Sequence, residues 1–135
     1  MRLALTGDTW IDPTTIKIGF DLVNLDVTAN HDLKPLGQPF LFIRRARVLC
    51  GSALVEDKDL FGCFSQQMHM LQARNKRIND FVEAFDGEKV DSDADLQVIP
   101  PSGRSTCMFT PCLGLLTQDR YLPLRYAPIT LELEI

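Results

Sequence analysis

Strands with one buried face dominate the hydrophobic pattern of this chain. In residues 15–23 and again in residues 129–135, apolar side chains occupy every second position, and the second segment carries glutamates between them. This period is typical of a strand that packs one side against a core. We therefore predict a strand in each segment. The alternating apolar residues are Ile16, Ile18, Phe20 and Leu22 in the first segment, and Ile129, Leu131, Leu133 and Ile135 in the second.

A hairpin is predicted between these strands. Apart from three arginines, residues 40–50 are apolar at odd-numbered and even-numbered positions alike, which indicates a strand that is covered on both faces for part of its length. Gly51-Ser52 then provides a turn into a short returning strand, so a hairpin is predicted over residues 43–56. Asp57 or Asp59 can cap a helix that follows.

Two helices are predicted after the hairpin, as an insertion over about residues 58–86. Apolar residues recur at helical spacing in 60–71 and again in 78–85, and Gly87 stands where a C-terminal cap belongs. The apolar stripe of the first helix comprises Leu60, Cys63, Phe64, Gln67, Met68 and Leu71, and that of the second Ile78, Phe81, Val82 and Phe85.

The pattern as a whole predicts a mainly β chain, a β-sandwich with a short helical insertion. Residues 88–104, acidic and then proline-rich, are expected to form an exposed loop, and residues 107–116 a further strand. A length of 135 residues favours one domain that spans residues 1–135.

Composition narrows the class of protein. Hydrophobic residues make up 45% and charged residues 24%, as in a folded globular protein. The net charge of -4 argues against direct nucleic-acid binding, which needs a basic face. Residues 1–8 lack the apolar core of a signal peptide, and no apolar stretch approaches the length of a membrane span, so we expect a soluble chain.

Candidate metal and cofactor sites are weak, and we predict none. Asp91-x-Asp93-x-Asp95 resembles the start of a calcium loop, but Leu96 and Ser102 occupy the positions that need glycine and glutamate. The histidines, His31 and His69, lack a second His or Cys at ligand spacing. The four cysteines form no C-x-x-C pair, which favours buried free thiols over a zinc site or a disulfide framework. They are Cys50, Cys63, Cys107 and Cys112.

The sequence gives no constellation for catalysis, and we predict that the protein is not an enzyme. Cys63 and His69 are six positions apart, which places them well around a helix from one another. Helix and turn capping accounts for the carboxylates Asp8, Asp12, Asp57 and Asp59.

Two clusters of basic residues occur in the middle of the chain. They lack the interleaved aromatic residues of single-strand nucleic-acid binders. Ion pairing between subunits, with the acidic loop as partner, is the better expectation. The groups are Arg44, Arg45 and Arg47, and Arg74, Lys76 and Arg77.

Several segments together resemble the double jelly-roll major capsid proteins of Polinton-like viruses, virophages and nucleocytoplasmic large DNA viruses, the first group most closely. In that family, a strand, a short turn and a V-E-D return lead into a helix, and an L-P-L segment precedes a later strand. The matching segments here are residues 6–8, 12–24, 39–51, 55–57, 67–71 and 121–135.

The resemblance implies a jelly-roll β-sandwich without catalytic residues, which forms trimers shaped as pseudo-hexamers and tiles them into the shell of a virion. Partners would be other copies or related capsid chains. We expect this chain to hold only the first of the family's two jelly rolls, without its last strand, and the open edge would invite pairing. It would then be a fragment, a split subunit or a host-encoded relic that no longer assembles.

Two rival functions suit the same fold class. A lectin-like binding module would need an exposed aromatic platform, for which the sequence offers only Trp10, Tyr121 and Tyr126. A cupin-like enzyme subunit would need a set of histidine ligands in its strands, and two histidines do not supply one.

Overall fold

The computed structural model describes residues 1–35, 37–85 and 98–135, and in them the chain is mainly β, with eight strands in antiparallel sheets and two short α-helices. Short 3₁₀ helices cover Pro13–Thr15 and Pro39–Phe42. The strands are β1 (Arg2–Leu5), β2 (Trp10–Ile11), β3 (Ile18–Val23), β4 (Arg45–Cys50), β5 (Ala53–Asp59), β6 (Arg104–Phe109), β7 (Leu122–Pro123) and β8 (Ile129–Glu134), and the helices are α1 (Phe61–Met70) and α2 (Arg74–Phe85).

These elements divide into two compact units. The first unit contains Met1–Lys17, Phe40–Ser65 and Thr110–Ile135, and the second contains Ile18–Pro39 and Gln66–Phe109.

The first unit contains a four-stranded antiparallel sheet with the order β1-β8-β4-β5. The alternation predicted for β8 is confirmed, because Ile129, Leu131 and Leu133 are buried and the residues between them are not. Ala46 and Val48 of β4 lie opposite Leu133 and Leu131 in register, and both are fully buried. One face of this sheet is therefore apolar and packed, and the other carries the polar residues.

Backbone contacts fix the start of α1 in the same unit. The N–H of Phe61 donates to the carbonyl of Arg44 (2.7 Å), and the N–H of Gly62 donates to the carbonyl of Ile43 (3.0 Å). The Phe61 side chain is fully buried. A Cβ at Gly62 would lie 2.8 Å from the carbonyl oxygen of Phe40, so the close approach of these backbones requires glycine.

The second unit is built on the antiparallel pair β3 and β6, with α2 packed against β6. Buried Cys107 of β6 contacts Phe20 and Leu22 of β3. After β3 the buried side chain of Asn24 ties two segments together, since its Nδ2 donates to the carbonyls of His31 (2.9 Å) and Ile99 (3.1 Å). These bonds satisfy a buried amide that would otherwise be costly.

Several strand boundaries differ from the sequence predictions, each for a local reason. The strand predicted from residue 15 begins at Ile18, because Asp12 caps the Pro13–Thr15 helix by accepting the Thr14 N–H (3.0 Å). The strand predicted over 40–50 begins only at Arg45, after the Pro39–Phe42 helix. The one predicted over 107–116 covers Arg104–Phe109 instead, and it ends before Pro111, which cannot donate to a sheet.

Two of the predicted capping residues are strand residues. The returning strand of the hairpin extends to Asp59, so Asp57 and Asp59 lie in β5 instead of capping a helix. Both project into the polar face of the sheet, where arginines of β4 lie opposite them. Those cross-strand partners explain why the strand continues through an acidic segment.

The position of α1 is confirmed, but its predicted apolar stripe is wrong. The buried residues of this helix are Phe61, Gly62 and Ser65. Met68 and Leu71 of the predicted stripe are 43% and 81% exposed. The contacts of Phe61 and Gly62 with the preceding segment fix which side faces inward, and helical periodicity does not report those contacts. Gly87 and residues 88–97 of the predicted loop lie outside the described residues.

Candidate functional site

The polar face of the four-stranded sheet carries a row of alternating charges. Register places Arg2 of β1, Glu132 of β8, Arg47 of β4 and Asp57 of β5 side by side across the strands. Glu132 forms ion pairs with both neighbours, at 3.5 Å from Arg2 Nε and 3.7 Å from Arg47 Nη1. Residues of opposite charge thus stand opposite one another on every pair of strands, which stabilises the pairing. We call these residues, with Arg45 and Glu134, the charged face.

The strongest pair on the charged face joins Arg45 and Asp57. Arg45 donates through Nε to Oδ1 (2.8 Å) and through Nη2 to Oδ2 (2.6 Å). These hydrogen bonds lower the pKa of Asp57 and raise that of Arg45. Arg44 adds a bond from Nη1 to Glu134 (3.3 Å). An open groove of about 520 Å³ lies over part of this face.

The first basic group, expected from the sequence to pair between subunits, has partners within its own sheet. Arg44, Arg45 and Arg47 pair with acidic residues of β5 and β8 in their own sheet. Ion pairing with another subunit is not needed to balance them. Of the second group, Arg74 and Lys76 are exposed at the start of α2, and the acidic run 91–95 expected to meet them lies outside the described residues.

The β5 edge of the sheet is closed by an inward-facing ion pair. Glu56 and Lys58 project to the packed face and are 2.9 Å apart. Lys58 Nζ donates to the Cys112 carbonyl (2.9 Å), and Glu56 accepts from the N–H groups of Gly114 (3.1 Å) and Leu115 (3.5 Å). Desolvation raises the pKa of Glu56, but these hydrogen bonds outweigh it and the net shift is downward. The pair, which we call the edge clamp, fastens the segment after β6 to β5.

Sequence reasoning missed the edge clamp. Every residue from 56 to 59 of β5 is charged, on both faces of the strand, so hydrophobic periodicity gives no strand signal there. The one available signal is Lys58 itself, because a lysine pointing inward is a common feature of edge strands.

Three exposed aromatic residues gather at the short ladder formed by β2 and β7. Trp10 lies opposite Pro123 in register. Tyr121 precedes β7, and Tyr126 follows it in a turn closed by its N–H, which donates to the Pro123 carbonyl (3.1 Å). Exposed fractions are 66% for Trp10, 65% for Tyr121 and 79% for Tyr126. We call these three residues the aromatic patch.

The two histidines lie in different settings, each beside a carboxylate. His31 Nδ1 is 2.7 Å from Asp26 Oδ2 in an exposed turn. His69 on α1 is half-buried, and its Nδ1 is 4.0 Å from Asp80 of α2. Desolvation lowers the pKa of His69 against the opposing charge of Asp80. Cys63 is exposed, unlike the buried thiol expected there, and it belongs to the other compact unit from His69.

The described residues hold no group of three or more His, Cys, Asp or Glu side chains arranged to bind a metal ion. The run Asp91–Asp95, considered above as a calcium loop, lies outside them. All four cysteines are described and carry free thiols: Cys107 is buried, and Cys50 and Cys112 are partly buried. In the described part of the chain, neither helix combines the length and the apolar run that a bilayer crossing requires.

Comparisons with known proteins found no match, whether to family models, to curated proteins or to solved structures.

Proposed function

We propose that this chain is a structural protein of the capsid type, built as a jelly roll, whose function is to associate with copies of itself in a virion shell. The observation that supports this is the nesting of its strand pairs. β1 pairs with β8, β2 with β7, β3 with β6 and β4 with β5, all antiparallel.

In chain order each pair encloses the next, and the β4–β5 hairpin is innermost. A jelly roll has the same nested order of antiparallel pairs. β8 also pairs with β4, which joins the outermost pair and the innermost hairpin in one four-stranded sheet. The nesting agrees with a separate observation, the resemblance of the amino-acid sequence of residues 39–57 and 121–135 to the capsid family.

The proposal is tested by the mass of the purified chain in solution. Light scattering after size-exclusion chromatography, over a wide range of concentration, measures the mass, and electron microscopy of the same fractions detects regular particles. Self-association into dimers, trimers or larger regular assemblies supports a capsid role. A chain that circular dichroism shows to be folded but that stays monomeric at the highest concentration contradicts it.

The aromatic patch favours a second candidate, a carbohydrate-binding module on the same fold. Exposed tryptophan and tyrosine rings offer flat apolar surfaces with polar tips, on which a sugar ring can stack. Trp10 is the sole tryptophan of the chain, so its fluorescence reports on the patch directly. Titration with neutral oligosaccharides should quench or shift this emission if the patch binds them.

A matched pair of variants makes the titration specific. Tyr121→Ala removes one ring of the aromatic patch, whereas Leu54→Ala removes an exposed apolar side chain of β5 that is not part of the patch. A sugar-binding patch loses affinity in the first variant and keeps it in the second. No change of emission with any oligosaccharide tested contradicts this second candidate.

A further inference from the structure

The two edges of the four-stranded sheet in the first unit are protected unequally. At the β5 edge, Glu56 and Lys58 point inward, and a register shift between Val48 and Leu49 bends the hairpin. Inward charges and bulges are the devices by which proteins prevent strand edges from pairing with other chains. At the β1 edge, within the described residues, the inward side chains are the half-buried Leu3 and Leu5, and pairing with β8 is regular.

The free hydrogen-bonding groups of β1 can be assigned from its register with β8. Met1 and Leu133 exchange two backbone hydrogen bonds, at 2.7 Å and 2.8 Å. In an antiparallel pair such bonded positions recur at every second residue, so Leu3 and Leu5 also turn their peptide groups toward β8. The N–H and C=O of Arg2 and Ala4 therefore point away from the sheet, toward the open edge.

We infer that β1 is the self-association edge of this protein, and that its partner is the β1 strand of a second copy in antiparallel orientation. This inference rests on the proposed self-association and names the surface that carries it. The two copies are related by a two-fold axis normal to the sheet, which makes the interface isologous. Their sheets join into one continuous sheet through the outward groups of Arg2 and Ala4.

The sequence of β1 is compatible with pairing to itself. With the axis at Ala4, the two Ala4 residues face each other, and Leu3 lies opposite Leu5 of the second copy on the packed face. Arg2 lies opposite Thr6, so no two arginines are opposed across the interface, and like charges directly opposite would destabilise it. The edge is only four residues long, so the association is weak and depends on concentration.

A proline at residue 4 is expected to weaken the interface without preventing the chain from folding. Ala4→Pro removes an N–H that points to the open edge, and proline is tolerated on edge strands in that orientation. Ala4→Thr keeps the N–H and suits a strand. Sedimentation equilibrium should show the parent chain and Ala4→Thr associating with similar constants, and Ala4→Pro at least about tenfold more weakly, a loss of about 1.4 kcal/mol. Circular dichroism and the thermal midpoint verify that each variant is folded.

The outcomes distinguish this inference from the function on which it rests. If Ala4→Pro associates as strongly as the parent chain, self-association stands and uses another surface, so the inference is wrong. If the parent chain is monomeric at every concentration, both fail.

Cross-linking gives a second measurement that does not depend on the proline variant folding. In a Cys63→Ser background, which removes the exposed native thiol, Ala4→Cys places two thiols across the axis with Cα atoms about 5.5 Å apart, within disulfide range. Mild oxidation should give a covalent dimer in high yield, whereas Ala29→Cys in an exposed loop should give little. Equal yields from the two variants overturn the inference.

Discussion

Arg45 binds Asp57 with two hydrogen bonds although the register of β4 and β5 places Asp59 directly opposite it. The diagonal contact sets Asp57 between two arginines, since Arg47 is its direct cross-strand neighbour. Both arginines contribute to lowering the pKa of Asp57, Arg45 the more strongly through its hydrogen bonds. The charged face is thus a connected network, and removing Asp57 takes away the hydrogen-bond partner of Arg45 and a neighbouring opposite charge of Arg47.

Asp57→Asn should lower the stability of the fold at neutral pH. The pKa of Asp57 is lower in the folded chain than in the unfolded one, so the pair stabilises the fold above the ordinary aspartate pKa and loses this effect as pH falls through the lowered value. Urea unfolding should show the largest difference between parent and variant near pH 7 and little difference in strong acid. Asp119→Asn, at an exposed position, is the control. A difference that stays constant with pH would contradict this assignment.

Glu56→Ala should release the segment that the edge clamp holds. The N–H groups of Gly114 and Leu115 lose the carboxylate that accepts from them, and bonds to charged acceptors are stronger than neutral ones. Hydrogen exchange followed by mass spectrometry should show these amides exchanging about tenfold faster. Glu56→Gln keeps an acceptor oxygen and should show a smaller increase. Unchanged exchange in the alanine variant would mean that the segment is held by other contacts.

The buried side of α1 can be tested by comparing two apolar truncations. Phe61→Ala empties a fully buried site and should cost about 3–5 kcal/mol of the free energy of unfolding. Met68→Ala, on the side that periodicity favoured as buried, should cost less than about 1 kcal/mol, since 43% of that residue is exposed. Chemical denaturation measures both. Similar losses of unfolding free energy in the two variants would support the buried stripe predicted from the sequence instead.

Gly62→Ala should destabilise the protein although alanine is the better helix former. The added Cβ meets backbone atoms of Phe40, Leu41 and Ile43 at 3.0 Å or less. Backbone atoms cannot move aside as a flexible side chain can, and overpacking of this kind costs about 1–3 kcal/mol. Gly7→Ala provides the control for thermal unfolding, because an added Cβ there comes no closer than 3.8 Å to another atom, the side-chain Oγ1 of Thr9. A higher midpoint for Gly62→Ala would show that the helix start is looser than described.

The cysteines should differ in reactivity toward an alkylating reagent. Cys63 is exposed on α1 and should be modified first. Burial raises the pKa of Cys107 to about 11, and since the thiolate is the reactive form, this residue should react only after unfolding. Peptide mass spectrometry after timed alkylation in native buffer gives the order. Early modification of Cys107 would indicate that the core between β3 and β6 opens readily.

Local patterns in the sequence located most of the regular elements. The strands at Ile18–Val23 and Ile129–Glu134, the Gly51 turn and the start of α1 each leave a signal within a few residues. Strand alternation succeeded for β8 because one face of its sheet is packed and the other is charged.

The contacts that give the candidate surfaces their properties join distant parts of the chain, and local patterns do not contain them. Arg44 and Glu134 are 90 positions apart. The same reason applies to the aromatic patch, where β2 meets a strand more than a hundred residues later. The sequence shows three arginines at and just before the start of β4, but only the pairing of β4 with β5 and β8 shows that acidic residues of the same sheet lie next to them.

The position of β8 between β1 and β4 has a consequence for biosynthesis. β8 follows all the other described strands in chain order, yet it supplies the hydrogen bonds that hold β1 to the rest of the sheet. During translation, β1 and β4 therefore leave the ribosome long before the strand that joins them. Until then, both present unpaired edges, so yield in cells should depend on chaperones and on translation speed more than on the stability of the finished fold.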